Sequence, residues 1–257
     1  MNWEERLRQR IEQSGSNLCV GLDPRREQIE GSVVDFLKRV VDETAEFAAA
    51  FKPNIAYFEA FGAEGYQWLE NLLKEMPAEV PVLLDAKRSD IGETQKYYAR
   101  AYFDHWKVDA ITLNPYLGYD SIEPYLGYGD KGLYLLGVTS NPGAREFQLQ
   151  QVGDTCLFEK VQAMRGRAPA GSASIGLVAG LTNLTPDLLA RIADVPLLIP
   201  GLGAQGGSLD DLNPGTRSAP LLINSSRSIL YGEEGSFADR ARKSMEKIQF
   251  AISTPLR

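Results

Sequence analysis

Eight short apolar runs punctuate this chain, and they limit what it can fold into. They fall at 18–22 (LCVGL), 51–58 (FKPNIAYF), 80–87 (VPVLLDAK), 110–115 (AITLNP), 133–140 (LYLLGVTS), 174–181 (SIGLVAGL), 196–203 (PLLIPGLG) and 219–226 (APLLINSS). Each is about strand length and rich in Val, Ile or Leu. Most lack polar alternation, as expected of parallel strands covered on both faces. The segments between them carry apolar residues at three- and four-residue steps, clearest at 33–50, 92–106, 156–167 and 237–252, and Thr185-Pro186-Asp187 reads as a helix start.

Strand then helix, repeated eight times, predicts a parallel sheet with right-handed crossovers. Eight units in 257 residues match an α/β fold of the closed (β/α)8 TIM-barrel type. The alternative is an open doubly wound sheet, but the first run is followed by VGLDPR and not by the glycine-rich dinucleotide turn. No Pro-, Gly- or Ser-rich linker divides the chain. The expectation is one domain spanning 1–257, with an N-terminal helix at about 2–14 covering the barrel bottom.

Bulk properties narrow the function classes. A net charge of −7 disfavours nucleic acid and anionic membrane as partners, so an anionic substrate would need a local cationic pocket. The N-terminal segment MNWEERLRQRIEQSG is too charged for a signal peptide, and no apolar stretch approaches a membrane span. Two cysteines, Cys19 and Cys156, fit reduced thiols in a cytoplasmic protein. His105 is the one histidine, so an imidazole-based metal site or triad would rest on that ring alone; a structural role is the expectation.

In a barrel of this kind, catalytic groups sit at the C-terminal strand ends. Asp23, Lys52, Asp85, Lys87, Asn114, Ser140, Gln205 and Arg227 all lie at or near such ends. Asp85 and Lys87 share strand parity, which directs both side chains to one side, and Asp90 follows just beyond. Two carboxylates and an ammonium at one strand end are costly unless they pair. The residues alone leave open whether this is a catalytic array or a structural ion-pair cluster. Lys52, inside an otherwise apolar run, needs a carboxylate partner such as Asp85 or Asp23, unless it snorkels at a strand end.

The loops after the seventh and eighth runs read as a phosphate site. The glycines of PGLGAQGGSLDDL free backbone N–H groups, Gln205 adds an amide, and Arg227 in NSSRSILYG offers a bidentate fork. Tight turns alone would also account for the glycines. Ser140, in SNPG, is a turn residue by itself. The aromatics Trp68, Tyr97, Tyr98 and Phe103 read as core or interface.

Taken together, VGLDP, FKPNIAYFEAFG, DAKRSDI, VTSNPGA, PGLGAQGG and NSSRSILY resemble, in order and along the whole chain, the orotidine 5′-phosphate decarboxylase family in its longer bacterial branch. The resemblance implies cofactor-free and metal-free conversion of orotidine 5′-phosphate to uridine 5′-phosphate and CO2, the last step of de novo UMP synthesis. Lys87 would protonate C6 of the pyrimidine, and Asp85 would sit beside the substrate carboxylate. Asp23 and Lys52 would bond the ribose hydroxyls, with Lys52 also ordering the charged array. Ser140 would contact the ring, Pro200 would wall its apolar end, and Gln205 and Arg227 would hold the phosphate under a closing loop at 203–216. The resemblance also implies a homodimer, in which Asp90, Ile91 and Thr94 enter the neighbour's site. Ser89 departs from the glycine common at that position, a change expected to be tolerated. Three rivals stay open: a Mg²⁺-dependent sugar-phosphate decarboxylase or aldolase of the same barrel type, a non-catalytic nucleotide-phosphate binder, and a Schiff-base aldolase using Lys52 or Lys87.

Overall fold

The computed structural model describes residues 1–201 and 217–253. Its framework is eight parallel strands: β1 (Leu18–Leu22), β2 (Ala50–Pro53), β3 (Leu83–Arg88), β4 (Ala110–Leu113), β5 (Gly132–Val138), β6 (Ser174–Ala179), β7 (Leu197–Ile199) and β8 (Leu221–Ser225). Neighbours in sequence are neighbours in space, and β1 pairs with both β2 and β8. Bridges from Phe51 to Val82 and from Asn54 to Asp85 close the remaining seam between β2 and β3. The result is the single-domain (β/α)8 barrel expected from the apolar runs.

The main helices are α1 (Trp3–Ser14), which packs on the barrel interior, and the outer helices α2 (Val33–Thr44), α3 (Gly62–Lys74), α4 (Gly92–Ala99), α5 (Leu157–Ala163), α6 (Pro186–Ala190) and α7 (Phe237–Ser253). Local sequence sets their ends. Asn2 and Glu5 form a reciprocal capping box on α1, Ser32 caps α2 and Thr185 caps α6. Several elements stop sooner than the runs suggested. The run 51–58 is strand only to Pro53. The ladder to β1 ends at Pro53, pairing with β3 reaches only one residue further, and the Asn54 side chain accepts the Ala56 amide at 3.1 Å to start a short helix, Ala56–Glu59. The periodicity at 33–50 yields a helix to Thr44, then a tighter turn to Phe47 and a strand from Ala50. The stretch 92–106 continues α4 as a π-helical turn over Arg100–His105.

Burial divides by strand parity. Leu18, Val20, Leu84, Ile111, Leu133, Leu135 and Ile199 face the outer helices. Cys19, Ala50, Leu83, Ala110, Tyr134, Val178, Leu198 and Leu222 fill the barrel, with Trp3 and Leu7 of α1 packed against them. Two inward glycines make room for the large rings. A Cβ at Gly132 would lie 2.7 Å from the Trp3 indole, and one at Gly176 would lie 3.0 Å from Tyr134. The Trp3 indole N–H donates to the Tyr134 hydroxyl at 3.2 Å, so the buried polar tips satisfy each other. Above this apolar plug the next inward positions are Lys52, Asp85 and Thr112. Side-chain alternation thus puts a charged layer between a dry floor and the barrel mouth.

Candidate active site

Asp85 is the hub of that layer. The residue is 8% exposed, and Lys52, reaching it from β2, is 4% exposed. Lys52 Nζ lies 2.9 Å from Asp85 Oδ2, and Lys87 Nζ lies 2.6 Å from Oδ1. The Thr112 hydroxyl donates to the same Oδ1 at 2.8 Å. Burial alone would push the Asp85 carboxyl up, but Lys52 and Lys87 outweigh it and hold the group well below the usual carboxylate range. Lys52 mirrors this: burial opposes its charge, and Asp85, with Asp23 behind it, raises its affinity for the proton above that of an ordinary lysine. The stability gained from Asp85 is therefore present above the ordinary carboxylate range and lost only in strong acid. That from Lys52 is present below the ordinary lysine range and lost only in strong base. The pair is charged across the neutral range.

Parity brings Asp85 and Lys87 to one side, as expected, but the strand is not flat there. The β3–β4 register jumps between Leu84 and Arg88, spending four residues of β3 against two of β4. Lys87 takes φ +46°, a left-handed conformation that costs a non-glycine residue about 1–2 kcal/mol. Its amide donates to the Thr112 hydroxyl at 2.8 Å, so one threonine holds both the backbone of Lys87 and the carboxylate that its ammonium meets. The Lys87 side chain is half exposed and rises into the mouth.

The mouth opens into a cleft of about 1060 Å³, lined by Asp23, Lys52, Asp85, Lys87, Ser140, Pro200 and Arg227, among others. Asp23, which lines the same cleft, keeps one buried carboxylate oxygen without a hydrogen-bond partner. Arg227 opens the short helix after β8 and is exposed there. Asp90, Ile91 and Thr94 do not line this cleft. Asp90 accepts its neighbour's amide, that of Ile91, at 2.8 Å, while Ile91 is 62% exposed and Thr94 is exposed on α4. Gln205 and the loop 203–216 lie outside the described residues. Ser89 avoids the left-handed region, so a side chain in place of glycine meets no backbone strain there. His105 lies exposed on the π-helical turn, away from the cleft.

Sequence reading missed Thr112, which sits in a strand-forming run and looks like any β-branched residue. Inward parity from Ala110 would have found it. It also missed Asn54, Asn224 and Ser226, which line the cleft; the last two keep buried side-chain oxygens without partners. Among the described residues, no three His, Cys, Asp or Glu side chains gather as a metal-holding group.

A cleft with this array on its floor and an arginine on its rim suits an anionic substrate that develops further negative charge during reaction. The sequence profile of the orotidine 5′-phosphate decarboxylase / HUMPS family matches residues 16–235. A protein of Verminephrobacter eiseniae called orotidine 5′-phosphate decarboxylase is 43% identical over 263 residues, covering 94% of each chain. One of the same name from an Azoarcus species is 42% identical over 271 residues, covering 98% of this chain and 99% of its own. Among solved structures, the OMP decarboxylase of Leishmania donovani superposes with a TM-score of 0.84 at 37% identity, covering 98% of both chains.

Proposed function

The chain belongs to the orotidine 5′-phosphate decarboxylase / HUMPS family, and from that premise we propose how its cleft works. The enzyme is a carboxy-lyase of pyrimidine nucleotide synthesis that converts orotidine 5′-phosphate to uridine 5′-phosphate and CO2. The observation that carries the residue roles is the Lys52–Asp85–Lys87 array, which faces the same cleft as Arg227.

In the reaction the C6–carboxylate bond breaks and its electron pair stays on C6. CO2 leaves, and a proton from Lys87 Nζ replaces it; solvent then reprotonates the amine. The Lys87 ammonium is a fixed cation aimed at the carbon that turns electron-rich, so its attraction grows toward the transition state. A unit pair about 4 Å apart contributes about 4 kcal/mol at an effective dielectric near 20. For a very slow reaction that is only part of a barrier reduction that reaches ~23 kcal/mol or more, so remote phosphate binding and preorganisation supply the rest. Asp85, already answered by three donors, contributes chiefly by holding the ammonium of Lys87 in one place. Asp23 and Lys52 bond the ribose hydroxyls, Ser140 the pyrimidine, and Pro200 walls its apolar end. Arg227 grips the phosphate together with Gln205. The reaction needs no cofactor.

The active unit is a homodimer, with Asp90, Ile91 and Thr94 completing the neighbour's site. This reading is supported by their place outside their own cleft and by the exposed apolar residues Tyr97, Tyr116, Leu117 and Phe147. The described helices include none long and apolar enough to cross a membrane. We place the enzyme in the cytoplasm on its two buried, unbridged cysteines, which fit a reducing compartment.

The test follows the absorbance of orotidine 5′-phosphate with EDTA present. Wild type turns over unimpeded, and Lys87→Ala loses several orders of magnitude in kcat. Loss of wild-type turnover in EDTA would instead favour a metal-dependent relative. Mixing Lys87→Ala with Asp90→Asn subunits restores partial activity if sites are shared; no rescue removes the shared-site reading.

A further inference from the structure

Beside the cleft, on the outer face of the barrel, lies a second charged cluster that the reaction does not touch. Arg88, next to Lys87, turns its guanidinium outward. There Nη2 meets Glu59 Oε1 at 2.7 Å, and Nε donates to the Tyr102 hydroxyl at 2.6 Å. The same guanidinium lies 5.0 Å from the Tyr98 ring centroid and 5.9 Å from that of Tyr102, two rings stacked 6.0 Å apart. The Tyr66 hydroxyl donates to the same Glu59 oxygen at 3.2 Å.

The three anchors come from three places. Glu59 ends the short helix after β2, Tyr98 belongs to α4, and Tyr102 is delivered by the π-helical turn that prolongs α4. A π-turn departs from the regular helix and is found disproportionately near functional sites. Here it supplies the hydroxyl that closes the arginine fork. The Arg88 carbonyl is also fixed, accepting the Asn114 amide at 2.9 Å.

Lys87 needs such support. It sits at the register jump of β3 in a left-handed conformation that its side chain disfavours. Relaxing that peptide would rotate the ammonium away from Asp85. The Thr112 hydroxyl restrains the Lys87 amide from inside the barrel; the following residue, Arg88, is tied by its side chain to Glu59 and Tyr102 and by its carbonyl to the Asn114 amide. We propose that Arg88, clamped by Glu59 and Tyr102, is a positioning residue that holds the strained end of β3 and so keeps the Lys87 ammonium on target. The inference rests on Lys87 being the proton donor. It also gives FKPNIAYFEAFG a task beyond supplying Lys52, because its glutamate anchors the arginine of DAKRSDI.

The test compares Arg88→Met, Arg88→Lys and Glu59→Gln with wild type by kcat, KM and urea midpoint. Displacing a reacting group by about 1 Å costs on the order of 100-fold, so Arg88→Met is expected to lose about 10- to 100-fold in kcat while KM moves less than about threefold. Arg88→Lys keeps the charge but not the planar fork, and should recover little of the loss. Glu59→Gln leaves Arg88 in place and is expected to show a smaller loss of the same kind, which serves if Arg88→Met does not fold. Wild-type kcat in a folded Arg88→Met protein, or full recovery in Arg88→Lys, overturns the proposal. So does a loss that appears only as a lower urea midpoint, or as a rise in KM at constant kcat. Lys87→Ala, run alongside, separates the two ideas. If it stays active the proton-donor reading fails; if it is inactive while Arg88→Met is not, only the positioning role fails.

Discussion

Replacing Lys52 by methionine removes one cation from a buried array while nearly preserving the volume of the side chain. Deleting one partner of a buried ion pair costs about 3–5 kcal/mol, because the other charge is left uncompensated. Asp85 would still keep Lys87 at 2.6 Å and the Thr112 hydroxyl at 2.8 Å, so the lower end applies, about 3 kcal/mol. For a chain of this size 1 kcal/mol shifts Tm by about 2–4 °C, which gives a drop of roughly 6–12 °C. The assay is urea unfolding followed by tryptophan fluorescence at fixed protein concentration, since the proposed dimer would make apparent stability depend on it. Asp85→Asn in the Lys52→Met background completes a cycle. With the carboxylate gone, loss of the lysine should cost less than in wild type, by about 1–3 kcal/mol. A Lys52→Met protein within about 1 kcal/mol of wild type, or an additive cycle, would refute the claim that the 2.9 Å contact is an energetically coupled pair.

Two further outcomes follow from the same geometry. Thr112→Val keeps the shape but strips a charged hydrogen bond from Asp85 and the acceptor from the Lys87 amide. Stability in urea should fall by about 1.5–3 kcal/mol, with kcat falling more than KM rises; an unchanged kcat would show that Thr112 does not orient the array. Asp194 is held down to about 2 by the Ser218 hydroxyl and the amides of Ser218 and Ala219. Its contribution is complete above its unfolded value near 4 and is lost as pH falls toward the folded one, so wild type should lose Tm faster than Asp194→Asn over that acid window. Parallel acid curves would remove that linkage.

The fold was legible because its signal is redundant. Eight apolar runs and the helical spacing between them all point to one closed sheet, and an error in any one boundary leaves the topology intact. Boundaries were less legible, since Pro53-Asn54 stops a strand inside a continuous apolar run by hydrogen-bond chemistry that periodicity does not weigh. In the cleft, charged residues in apolar strands announced themselves: Lys52 and Asp85 have no reason to be buried except each other. Thr112 did not, because its hydroxyl matters only once β4 is laid beside β3. The left-handed turn at Lys87 was invisible for a similar reason, as no glycine marks it and the Asp85–Thr112 pair and the outward clamp on Arg88 hold it in place. Asp90 stood out by its charge just beyond Asp85 and Lys87, but its place in a neighbour's site, like those of Ile91 and Thr94, came through the family resemblance, and a single chain has no neighbour to receive them.

In the proposed mechanism the Lys87 ammonium exchanges its proton with C6 of the bound nucleotide. Uridine 5′-phosphate incubated with the enzyme in D2O reports this directly, since reversible proton removal at C6 by the Lys87 amine erases the H6 resonance. Wild type is expected to lose H6 slowly, and a Lys87→Ala protein that still binds the nucleotide to lose none above background. H6 loss at the wild-type rate in that variant would contradict that mechanism.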